Sequence, residues 1–105
     1  MDEHVINKLK QENVKLYQVE VTHDEQDFEL LVSPPSKTVY DAVKKLLGDG
    51  AESKANEMLV YSCVKHPDKL VFAEMFKDHP ILFDKLSNKI LELAGSSAEF
   101  KCKKL

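Results

Sequence analysis

The sequence predicts an α+β domain: an N-terminal antiparallel β-hairpin packed on a bundle of four to five helices. Three observations predict it. Period-two apolar alternation is confined to residues 17–32, a proline pair at 34–35 ends it, and helical apolar spacing runs from Val39 to Leu93. Strands come first and helices follow, an order that does not suit a parallel βαβ sheet. The 105 residues fit one domain with a single modest core, and 43% hydrophobic with 31% charged residues is a globular composition. Residues 1–95 are expected to form that domain and 96–105 a flexible polar tail.

Each element has a local cause. From Asp2 to Gln11, Val5, Ile6 and Leu9 share a helical face, with Asp2 placed as the cap. Tyr17, Val19 and Val21 then alternate with Gln18 and Glu20, and Phe28, Leu30 and Val32 repeat the pattern. Between them lies a polar tip, Thr22 to Asp27, so the two runs read as a hairpin with one buried face. Pro34 and Pro35 stop the second strand, and Ser36 can cap the next helix. Val39, Tyr40, Val43, Leu46 and Leu47 form its stripe, which Gly48-Asp49-Gly50 terminates. A third helix, Ala51 to Val64, is apolar around most of its circumference and should be central, with Pro67 ending it. Leu70 to Phe76 makes a short fourth helix. A fifth restarts at Asp78-His79-Pro80, carries Leu82, Leu86, Ile90 and Leu93 on one face, and stops at Gly95.

Composition excludes several classes of function. A net charge of −3 is unsuited to neutralising a phosphate backbone, and the lysines at 101, 103 and 104 read as a solvated terminus, so no nucleic-acid partner is expected. No apolar run approaches the roughly 20 residues of a membrane span. The acidic start is not a secretory signal and two cysteines make no disulfide framework, so the expected compartment is the cytoplasm, that of a bacterial host if the gene belongs to a prophage.

No residues assemble into catalytic chemistry. Gly48-Asp49-Gly50 lacks the strand and the further glycine of a phosphate cradle. Cys63 and His66 have a two-residue gap and His79 could join them in space, but structural zinc uses four ligands in two pairs. Asp24, Glu25, Asp27 and Glu29 lack the alternation and central glycine of a calcium loop. Cys63 shares a stripe with Ala55 and Leu59 and should be buried and inert rather than a nucleophile activated by His66. The expectation is a protein that is not an enzyme, with no catalytic residue, no cofactor and no metal.

Two resemblances meet at the hinge. His66-Pro67-Asp68, followed by Lys69, resembles the signature loop of J-domain co-chaperones, which stimulate a chaperone ATPase. The basic helix that precedes the tripeptide in that family is missing here, since Glu52 and Glu57 stand beside Lys54. A longer stretch, Val14 to Gly95, resembles the small tail assembly chaperones of long-tailed phages and prophages. It carries a polar hairpin, a proline step, the helix Ala55 to Val64 ending in Cys63-Val64, the Pro67-Asp68 hinge, Pro80, and a last helix closing Leu93-Ala94-Gly95. That resemblance implies an adaptor that binds a long helical tape-measure protein, or a tail-tube protein, and keeps it soluble. It also implies a longer form made by ribosomal slippage, for which codons around Lys103-Lys104 could supply an A-rich run. Partner contacts are expected at Leu70, Phe72, Met75, Phe76, Leu82 and Phe83, with about half of the surplus apolar side chains closing the core instead. Self-association through the same surface is the other outlet; the alternative functions are a J-domain-like regulator of a chaperone ATPase and a host oligomeric structural protein.

Overall fold

A computed structural model describes residues 3–13, 15–95 and 98–105. The element order is α1 (Glu3–Glu12), β1 (Tyr17–His23), β2 (Gln26–Val32), α2 (Lys37–Gly48), α3 (Glu52–Cys63), β3 (Val64–His66), α4 (Lys69–Phe76) and α5 (Ile81–Ala94). It is an α+β fold, a hairpin followed by helices, as the alternation and its abrupt end predict. The cap expected at Asp2 lies outside the described residues.

The hairpin gains a third strand. Val64–His66 pairs antiparallel with β2, giving the order β1-β2-β3, where the sequence suggested two strands and a helix running on to Val64. The helix instead ends at Cys63, and Val64 turns extended at ψ 114°. Its carbonyl neighbour is recruited too, because Ser33 N–H donates to the Cys63 carbonyl at 2.9 Å. Backbone groups that the helix would have satisfied are satisfied by the sheet.

Leu30 and Val32 from β2, Val43 from α2, Ala55, Leu59, Val60 and Cys63 from α3, Phe72 and Phe76 from α4, and Leu82, Leu86 and Ile90 from α5 form one core. Helix α3 packs against both α2 and α5, which is why apolar residues occupy most of its circumference. A polar link crosses this interface: Ser87 Oγ donates to Asn56 Oδ1 at 3.0 Å, and Asn56 Nδ2 donates to Asp84 Oδ1 at 2.8 Å. Ser87 is buried, so this bond meets the need of a hydroxyl removed from water. The start of α2 follows its sequence signal, and α4 is capped in the same way. Ser36 Oγ accepts from Val39 N–H at 3.2 Å, and Asp68 Oδ1 accepts from Val71 N–H at 3.0 Å. Gly50, at φ +78°, lets the chain leave α2 while its N–H reaches the Leu47 carbonyl.

The hairpin tip is tighter than its polar composition suggested. His23 pairs with Gln26, so Thr22, His23, Gln26 and Asp27 belong to the strands and only Asp24 and Glu25 form the loop. Both have positive φ, 49° and 63°, the mark of a type I′ turn. Aspartate tolerates this region, whereas glutamate pays a Cβ clash of about 1–2 kcal/mol. Glu25→Gly is therefore expected to stabilise the protein by about 0.5–1 kcal/mol once glycine's extra unfolded-state entropy is subtracted. Thermal unfolding should show a Tm raised by a few degrees. A lowered Tm would contradict the turn assignment.

Candidate functional site

The hinge tripeptide sits at the sheet edge. His66 ends β3, a cis peptide bond joins it to Pro67, and Asp68 caps the eight-residue α4. This is a strand-to-helix corner, not the loop between two antiparallel helices that the J-domain resemblance implies.

Helix α4 divides the expected partner contacts sharply. Phe72 and Phe76 are each 1% exposed and Leu82 is 5% exposed, so these three close the core, with Phe76 forming part of the floor of the cleft described below. Met75 and Phe83 are half-buried against that core, while Leu70 is 83% exposed. The helical period explains the split. Phe72 and Phe76 are four residues apart and share the inner face, whereas Leu70 lies two residues before Phe72, about half a turn away. Val71 and Ile81, each 48% exposed, add apolar surface that the core does not use.

Between α3 and the α4–α5 corner lies an open cleft of about 650 Å³. Tyr61, Ala73, Ile81 and Phe83 contribute apolar lining, and Glu57, Lys77 and Asp84 contribute charge. Tyr61 and Phe83 are held by the aromatic cluster beneath them, with ring centroids 5.6 Å from each other and 5.7 Å each from Phe72. The lining is thus anchored by the core itself. Lys69 Nζ stands 5.2 Å from the Tyr61 ring centroid, a cation–π contact.

Cys63 has the burial of a core residue. Removal from water pushes its thiol from the usual 9.0 up to about 11, with Lys65 pulling weakly the other way. Between those values the unfolded chain loses a proton that the folded chain keeps, so Cys63 makes stability fall as pH rises from about 9 to 11. A thiolate-selective alkylating reagent at pH 8 is expected to label the exposed Cys102 and spare Cys63 until the protein unfolds. Equal labelling of both in the native protein would refute that burial.

A second assembly lies at the hairpin tip. His79, from the loop between α4 and α5, meets His23 at the end of β1 with ring centroids 5.1 Å apart and planes at 89°. His23 Nε2 is 3.2 Å from Asp24 Oδ2, and Phe28 lies edge-on to His79 at 5.9 Å. From spacing alone, Cys63 and His66 are the pair that His79 could join, though no metal site is expected there. Among the described residues, the group able to share an ion is instead His23, Asp24 and His79. No spacing signal could have found it, since the two histidines are fifty-six residues apart.

Among the described residues no helix is long and apolar enough to cross a membrane. Residues 9–103 match the model of a family described as a domain of unknown function, DUF6848. The fold is similar to that of an uncharacterised protein, rbstp2171, from Bacillus stearothermophilus. The TM-score is 0.73 at 19% identity, covering 93% of this chain and 99% of that one. No curated protein matches the sequence.

Proposed function

The chain belongs to the DUF6848 family, and we propose that it is a non-enzymatic adaptor shielding an apolar helical segment of a partner protein, as the phage tail assembly chaperones it resembles do. The observation that supports this reading is the open cleft between α3 and the α4–α5 corner, where Ile81 is 48% exposed beside the half-buried rings of Tyr61 and Phe83. An amphipathic helix laid in such a groove buries its stripe against aromatic rings already fixed by the core, so little side-chain entropy is lost. Glu57 and Asp84 on the rim, with Lys77, select orientation by charge more than they add affinity. The partner is a long, helix-forming chain of the tape-measure kind, whose exposed apolar stripes aggregate unless covered.

Co-expression with a long, helix-forming protein of the tape-measure kind, sought at the same locus, tests the proposal. The wild-type chain is expected to hold that partner in the soluble fraction. Ile81→Glu, at an exposed position, should leave the fold intact by circular dichroism yet weaken binding about tenfold or more, as burying an unpaired carboxylate in an interface does. Equal rescue by both proteins, or none by the wild type, would refute the reading.

A further inference from the structure

We propose that His23, Asp24 and His79 form a binding site for a divalent first-row transition ion of the zinc class. The donor set carries the choice of metal: two imidazoles and one carboxylate suit zinc and its neighbours, whereas calcium and magnesium require oxygen donors. Three protein ligands leave one tetrahedral position for water, the arrangement of an open rather than a closed site.

The geometry is close to that required. Tetrahedral bonds of about 2.0–2.1 Å place neighbouring ligand atoms about 3.3 Å apart. His23 Nε2 and Asp24 Oδ2 already stand at 3.2 Å. All three ligand atoms lie within 4.8 Å of one another, so closure needs a contraction of about 1.5 Å at most. Adjacent residues of a regular strand point to opposite faces and could not share an ion. Here the strand ends at His23 and Asp24 turns left-handed at φ 49°, which brings the two side chains to the same side. His79 is positioned independently, from the loop that precedes α5, and its ring is packed edge-on to both His23 and Phe28. Both histidines are half-buried and Asp24 is exposed, so an ion can enter from solvent. A bound ion would clasp the hairpin tip to the α4–α5 corner, joining two segments far apart in sequence.

The proposal is independent of the adaptor reading, and its test needs no partner. Zn²⁺ is titrated calorimetrically into the Cys102→Ser protein, which removes the exposed thiol as a competing ligand, and Tm is recorded with and without the ion. The expected result is one equivalent bound with micromolar Kd and a Tm raised by Zn²⁺. His23→Gln and His79→Gln should each weaken binding about tenfold or more and abolish the Tm rise. Asp24→Asn, at an exposed turn where the fold has nothing to lose, should weaken it as well. The double variant His4→Gln/His66→Gln, which removes the other two histidines, should bind as tightly as the parent. Co²⁺ provides a second readout, since its visible absorption should report nitrogen and oxygen ligation in the parent and fade in His79→Gln. Absence of binding at submillimolar Zn²⁺, or parent-like affinity in His23→Gln or His79→Gln, would overturn the site.

Discussion

Phe72→Ala is expected to destabilise the protein by about 3–5 kcal/mol, the cost of an empty phenylalanine site in a core that relaxes only partly. The ring is 1% exposed and lies among three others, with centroids 4.5 Å from Phe76 and 5.7 Å from both Tyr61 and Phe83. Edge-to-face contacts of this kind add about 0.5–1.5 kcal/mol per pair beyond burial alone. Folded domains of this size are stable by only about 5–15 kcal/mol, so the variant should unfold at a much lower urea concentration and approach the limit of folding. The expectation is sharp because the competing role predicts the opposite. A Phe72 that waited on the surface for a partner would cost about 0.5 kcal/mol or less on replacement. A loss below 1 kcal/mol in urea titration would therefore return Phe72 to the interface and call the packing of α4 into question.

Leu31→Ala is expected to cost about 2–4 kcal/mol, for a reason that strand alternation hides. Phe28, Leu30 and Val32 mark one face of β2, which leaves Leu31 on the other, nominally toward water. In the fold Leu31 is 2% exposed, and Leu30, Leu31, Val32 and Ser33 are buried in succession. β2 is the central strand, paired through Leu31 to Gln18 of β1 on one side and to His66 of β3 on the other. Equilibrium unfolding should show a lower midpoint at unchanged slope. A surface-like effect within about 0.5 kcal/mol would mean that the far face of the sheet is open.

The groove and the histidine cluster differ in how far residue patterns anticipate them. Excess apolar residues between Leu70 and Phe83 announced that something beyond a minimal core was present. They did not say which would be outside, because α4 is apolar on both sides and its rotation is set by what it packs against. Tyr61, which lines the cleft from α3, sits in a helix whose apolar residues cover most of its circumference, so its pattern singles out no exposed face. His23 belongs to a polar tip that composition explains as solvated, and its partner lies fifty-six residues away along the chain.

Local rules decided much of this molecule from the chain alone. The caps at Ser36 and Asp68 and the exit from α2 at Gly50 follow from preferences that act within four residues. So does the division into a hairpin and helices, since side-chain period is a property of each segment. The third strand, the burial of both faces of β2 at Leu31, the inward turn of Phe72 and Phe76, and the meeting of His23 with His79 are of another kind. Each joins segments distant in sequence, or depends on what packs over them. A three-residue strand such as Val64–His66 has no period to read and exists because β2 offers an open edge beside it. Such contacts become favourable only after the chain has paid the entropy of bringing its distant parts together, so the assembled fold decides them.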